Sequence, residues 1–238
     1  MTGKQFLTAE WRKLVMANYL TDPERLMTYL PKGTEPDLWN GKCYMSLVGF
    51  LFSHVRVKGM PIPFHTRFPE INLRFYVRYR DKDEIKRGVV FIREIVPKRF
   101  VTWMANGLYG ERYMTLPMKY AWDIDPSRIR VSYQWKKAGT WNYIQAEADP
   151  MPMPLVKDSE EEFITEHFWG YTNGRRGMTS EYHVSHPSWD IYPVRSYDIR
   201  CDFEKIYGKD FSFLQHISPA SVFLAEGSGI SVFSKRVL

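Results

Sequence analysis

A chain of 238 residues is long enough for one large or two small domains, and at this size ~70–75% of the unfolded surface becomes buried without a staple. Its two cysteines, Cys43 and Cys201, are too few for a disulfide framework or a thiolate zinc site, which points to a reducing, cytoplasmic setting. The net charge of +6 comes from 33 basic and 27 acidic residues mixed along the chain without a basic block, so nucleic acid is not an expected partner.

The first residues show no leader pattern, and no window holds the ~18 apolar residues of a membrane span, so no membrane partner is expected either. Residues 8–20 place Trp11, Leu14, Val15 and Tyr19 near helical spacing behind Thr8 as N-cap, which predicts an amphipathic helix. A second short helix is predicted from Asp22 to Leu30, with Asp22 as cap, Pro23 at the first helical position, and Pro31 and Gly33 as stops. From Gly41 the pattern turns extended: residues 42–56, 70–79, 88–95, 128–135 and 141–148 are rich in Val, Ile, Tyr and Phe and read as strands. Turn residues lie between them at 57–61, 80–83 and 136–139, the last predicting a hairpin. A short helix is predicted over 97–106, and 159–169 reads either as another or as the entry to a strand. Met151-Pro152-Met153-Pro154 resembles a linker, yet a single domain over 1–238 is the expected organisation. Gly227-Ser228-Gly229 reads as a hairpin turn, since no helix follows it as a phosphate cradle requires.

Residues 68–79 carry the sharpest pattern. Ile71, Leu73, Phe75 and Val77 alternate with Glu70, Asn72, Arg74, Tyr76 and Arg78, so one face must pack on a core. The polar face has two readings: open solvent, as on many antiparallel sheets, or the lumen of a curved sheet where a few polar groups fix a ligand. In the second reading Arg74 holds a carboxylate, with Asn72 and Glu70 beside it. His183 and His186 suggest a metal, but positions three apart on a strand face opposite ways and no third ligand has matching spacing. No metal site is therefore expected, and His186 is read as packed or in contact with a ligand. No G-x-S-x-G elbow or activated cysteine is present to supply a nucleophile.

The succession LPKGTEPDLWNGKCYMSLVGFLF, PIPFHTRFPEINLRFYVRY, RGVVFIREIVP, GERYMTLPMKYAW and EYHVSHPSWDIYPV resembles the YqjF-like family of uncharacterised conserved proteins (domain of unknown function 2071) across most of the chain. That family is similar in fold to the acetoacetate decarboxylases. The resemblance implies a mainly β (α+β) chain: an acetoacetate decarboxylase-like closed β-barrel with N-terminal helices, a few peripheral helices and a buried pocket. In the decarboxylases a segment like G-R-E-x-x-G-F-P-K-K supplies the lysine that attacks the substrate ketone. The comparable stretch here runs from Gly110 to Lys119, with Met118 at the nucleophile, Lys119 at its neighbour, and Glu111 and Arg112 in reversed order. A thioether cannot form an imine. The resemblance therefore implies a pocket of that shape with a different lining, for which the candidates are Asn72, Arg74, Tyr76, Glu111, Tyr113, Lys119 and His186.

Three functions compete on this reading. The favoured one is an interior pocket for a small anionic or carbonyl-bearing molecule, with no reaction assigned and no cofactor. A Schiff-base enzyme using Lys119 is the first alternative. A non-catalytic scaffold or protein-interaction module is the second, and it predicts a lumen filled by side chains. The oligomeric state stays open, a homo-oligomer being one option.

Overall fold

The computed structural model describes residues 3–108, 110–174 and 177–238. The chain begins with strand β1 (Gln5–Thr21), a 3-10 helix (Pro23–Tyr29), β2 (Thr34–Pro36), β3 (Leu38–Trp39), β4 (Lys42–Val57), β5 (Met60–Pro61), β6 (Phe68–Asp81) and β7 (Glu84–Val96). Helix α1 (Arg99–Leu108) is followed by β8 (Tyr113–Thr115), β9 (Met118–Asp125), β10 (Arg128–Lys137), β11 (Thr140–Ala148) and α2 (Glu160–Thr165). The last part holds β12 (Trp169–Asn173), β13 (Thr179–Ser185), β14 (Ile191–Tyr192), β15 (Val194–Arg200), α3 (Phe203–Tyr207), a 3-10 helix (Lys209–His216), β16 (Ser221–Phe233) and β17 (Arg236–Val237).

Hydrogen bonding orders the long strands β16–β1–β4–β6–β7–β12–β13, and β13 returns to β16 through Val184↔Val232 and Ser185↔Ser231, so the sheet closes into a ring. Closure removes exposed edges, which two-stranded ladders leave open to other chains. A smaller sheet, β15–β11–β10–β9, packs on the outside of the ring. One buried cluster joins Ile71, Leu73, Phe75 and Val77 of β6 to Tyr133, Trp135 and Ile144 of that sheet. A second joins Leu14, Val48, Phe50, Tyr76 and Trp189 on the inner side. Both faces of β6 are thus covered from Phe68 to Val77, and the solvent reading of its polar face is set aside for Glu70, Asn72, Arg74 and Tyr76 while Arg78 lies in solvent.

Several expected elements form as their residues dictate. The Asp22 side chain accepts from the Glu24 amide and Pro23 opens the helix, which closes as a tight 3-10 coil. Ser159 accepts from the Glu162 amide and so starts α2 as a helix. In the β10–β11 hairpin Ala138 and Gly139 both take positive φ, 46° and 84°, the backbone that a two-residue turn between right-twisted strands requires. Met153 bridges Ile191 with hydrogen bonds of 2.8 and 2.9 Å, so the proline-rich stretch lies along the sheet.

Two expectations are corrected. Residues 8–20 are strand, not helix. Leu14 to Tyr19 are all buried, and Lys13, at φ 53°, breaks the period-two alternation where the register with β4 shifts between Arg12 and Val15. A strand buried on both faces and interrupted by a bulge imitates helical spacing. Likewise Gly227 is no hairpin turn. It lies within β16 opposite Arg12, at φ 80°, where a Cβ would stand 2.0 Å from the carbonyl oxygen of Trp11.

Candidate functional site

The ring encloses a cavity of about 150 Å³. Its walls are mostly aromatic and aliphatic: Trp11, Phe50, Phe68, Phe91 and Trp189 come from five different parts of the chain. His186 stacks on Trp189 with centroids 4.3 Å apart and 22° between planes, and Trp11 meets the same indole edge-on at 6.2 Å. An apolar space of this volume accommodates a benzene-sized body.

The polar end is built by β6 and β7. Asn72 donates to Glu70 Oε1 at 3.1 Å, and the Tyr113 hydroxyl donates to Glu70 Oε2 at 3.0 Å. Arg74 donates through Nη2 to the Ile164 carbonyl at 3.3 Å, leaving its buried Nε without a partner. Asn72 Oδ1, Glu94 Oε2 and Glu111 Oε1 are also buried and unpaired, and all four residues line the cavity. Buried polar atoms of this kind ordinarily find partners, and these four stand together at one cavity.

Burial dominates the titration of this group. It pushes Glu70 up to about 8, against the lowering effect of Asn72 and Tyr113. It carries Glu94 well above the ordinary carboxyl range, with the neighbouring charges of Glu111 and Glu70 adding to the rise. Glu111 is raised to about 7, contacts from Tyr182 and Glu94 offsetting part of the burial. The set therefore holds protonated carboxyls beside one poised to ionise near neutrality, which is the arrangement acid–base chemistry uses. His167 also lines the cavity. Its Nε2 lies 3.1 Å from Asp37 Oδ2 and therefore carries the hydrogen, while Nδ1 is an unpaired acceptor. Burial drives its pKa down to about 4, so the ring is neutral at pH 7.

Of the expected site residues, Asn72, Arg74, Glu111, Tyr113 and His186 line this cavity. Tyr76 and Lys119 do not. Tyr76 is fully buried behind the wall, its hydroxyl 2.6 Å from Ser46 Oγ and its ring against His167 at 4.7 Å. Lys119 is exposed on β9 of the outer sheet, its ammonium 4.9 Å from the Trp141 ring centre, because alternation along β9 turns it away from the ring. Met118, at the position compared with the nucleophile, packs at the edge of the outer core. No lysine is among the cavity-lining residues described, and the buried lysines, Lys13 and Lys86, are held by Glu226 and by Asp81 and Glu181.

Glu94, Tyr182 and His167 also line the cavity, and the sequence pattern does not single them out. Parity along residues 88–95 puts Glu94 on the face of Val90 and Ile92. A bulge intervenes, since Leu73 faces Arg93 while the next residue, Arg74, faces Phe91, and the extra residue turns Glu94 inward.

The DUF2071 family, described as an uncharacterized conserved protein, matches residues 8–229. The chain belongs to this family. It is 27% identical over 191 residues to the uncharacterized protein YqjF of Bacillus subtilis (strain 168), covering 79% of the chain and 75% of that protein. Among solved structures it is similar to the enduracididine biosynthesis enzyme MppR complexed with pyruvate, with TM-score 0.68, 13% identity, and coverage of 100% of this chain and 91% of that one. It is also similar to acetoacetate decarboxylase from Legionella pneumophila, with TM-score 0.64, 12% identity, and coverage of 99% and 88%. The fold is accordingly acetoacetate decarboxylase-like and mainly β.

Proposed function

We propose that the cavity receives a compact molecule with an apolar body and a carbonyl or carboxyl head, and that the buried carboxyls move protons at that head. The observation that carries this reading is the pair of orphaned groups at one end of an aromatic cavity, Arg74 Nε as donor and Asn72 Oδ1 as acceptor. A head that satisfies both offers an acceptor and an O–H together, as a carboxylic acid or the enol of a carbonyl compound does. The structural neighbour described in complex with pyruvate lends support, pyruvate being a 2-oxo acid.

The chemistry follows from the lining. An ionised carboxylate, Glu111 or Glu70, takes a proton from the carbon beside the carbonyl. The C–H pair becomes the enol C=C, and the carbonyl oxygen takes a proton from a neutral neighbour such as Glu94. Return of the proton to carbon, with the enol O–H proton passing back to Glu94, regenerates the carbonyl compound, so the net result is keto–enol exchange of the α-proton with no imine and no cofactor. Placement of Lys119 on the outer sheet, with no lysine among the described residues that line this cavity, favours this reading over the Schiff-base alternative.

The test is calorimetric titration of the chain with pyruvate and phenylpyruvate, together with NMR of α-proton exchange in deuterated water. Binding is expected, and Arg74→Met should weaken it roughly 10–100-fold, the equivalent of 1.5–3 kcal/mol for a hydrogen bond to a charged group. Equal binding by wild type and variant would remove Arg74 from the site. Binding without exchange would leave a receptor in place of an enzyme.

A further inference from the structure

Two segments form a wall of the cavity whose other side is solvent: residues 56–67, from the end of β4 to the start of β6, and helix α1. Ile62 and His65 of the first, and Val101 and Met104 of the second, line the cavity. Several of their outward side chains are apolar as well. Phe64 is 89% exposed, Trp103 73%, Met60 68% and Phe100 42%. His65 meets Phe100 at 5.3 Å and Phe100 meets Trp103 at 6.0 Å, so the two segments share one patch. A helix with water on one side ordinarily carries polar residues there, and α1 instead presents aromatic rings.

The charge carried by these two stretches has one sign. Arg56, Lys58, Arg67, Lys98 and Arg99 lie within 56–67 and 97–108, and neither stretch contains an Asp or Glu. Arg99 stands in the first turn of α1, where the helix dipole favours an acidic residue and none is present. The corner therefore carries positive charge that nothing in these two segments neutralises.

We infer that this face docks on an anionic lipid bilayer, the exposed rings of Phe64, Phe100 and Trp103 entering the headgroup region and the surrounding cations meeting lipid phosphates. Amphipathic rings at the interface and a polybasic rim are the two attractions that hold peripheral proteins to membranes. No helix among the described residues is long and apolar enough to cross a membrane, and that bears on crossing, not on attachment to a surface. A consequence is that an apolar compound dissolved in the bilayer stands one wall away from the aromatic cavity. The docking itself does not depend on what the cavity binds or on any reaction there.

The experiment is cosedimentation of the full chain with phosphatidylcholine vesicles made with and without phosphatidylglycerol. The chain should sediment with the anionic vesicles only, release as salt is raised, and lose about fivefold in partitioning for each of Arg56→Ser, Lys58→Ser and Arg99→Ser. Phe64→Ser combined with Trp103→Ser alters only exposed rings and should abolish sedimentation while the thermal transition stays in place. Brominated lipid should quench emission of the wild type more than that of Trp103→Phe. The inference fails if wild type ignores anionic vesicles or if the Phe64/Trp103 variant binds as well as wild type. It also fails if light scattering shows a dimer, lost in that variant, which would mean that a second copy covers the patch.

Discussion

The two faces of β6 are both buried from Phe68 to Val77 and do opposite things. Ile71, Leu73, Phe75 and Val77 are fully excluded from solvent and meet the outer sheet in a dry core. On the alternate residues of the same backbone, about 3.3 Å further along the strand, Glu70, Asn72 and Arg74 are almost as buried, yet they line a space, and Asn72 and Arg74 keep unpaired polar atoms. The first face is what hydrophobic burial explains. The second lowers stability, because desolvated carboxyls and an unpaired guanidinium nitrogen are costly unless something meets them. Burial alone therefore does not separate core from site. The distinction lies in whether the buried polar atoms are satisfied.

The comparison can be broken most forcefully by exchanging the character of the faces. Leu73→Ala leaves a hole in the dry core and should cost about 2–5 kcal/mol in urea denaturation. Asn72→Leu, one residue away, removes an orphaned acceptor together with the amide that donates to Glu70 Oε1, and should cost less, about 1–3 kcal/mol for the lost bond, while ligand binding falls. If the two substitutions destabilise equally, Asn72 is a structural residue and the contrast between the faces is lost.

A finer test uses pH. The folded-state pKa of Glu111, about 7, stands above its ordinary 4.5, so between these values the folded protein holds a proton that the unfolded chain has released. The stability linked to this group is fully present below pH 4.5 and is lost as pH rises through 7. Glu111→Gln removes the proton-binding difference. Its stability relative to wild type should therefore climb between those pH values and then level off, by an amount on the order of a few kcal/mol. A difference that does not change with pH would mean that the carboxyl is well solvated.

How much of this could be read beforehand depended on whether a strand keeps its period. In residues 70–77 the alternation is unbroken, and the sequence alone placed Asn72 and Arg74 on one face. Only the neighbouring strands showed that the face was a lumen. In β1 the bulge at Lys13 and burial of both sides erased the alternation, and a strand was read as a helix. In β7 a single extra residue moved Glu94 to the cavity face, and no count of parity from the sequence reveals where such a residue sits. Glu111 and Tyr113 lie in the segment that carries the resemblance, whereas His167 lies in the link between α2 and β12 and Tyr182 in the short strand β13, where no clear alternation can be read.

Lys119 supplies the smallest expected effect and the cleanest division between the site and the outer sheet. Its ammonium sits over Trp141 in solvent, opposite Gln134 of β10, where a cation over an aromatic face contributes about 0.5–1 kcal/mol. Lys119→Met should shift stability by no more than that and leave pyruvate titration and α-proton exchange unchanged. Borohydride added with pyruvate should trap no adduct on this residue. A trapped adduct at Lys119, or loss of exchange in Lys119→Met, would require the outer sheet to open toward the ring during turnover and would move the chemistry from the carboxyls to an imine.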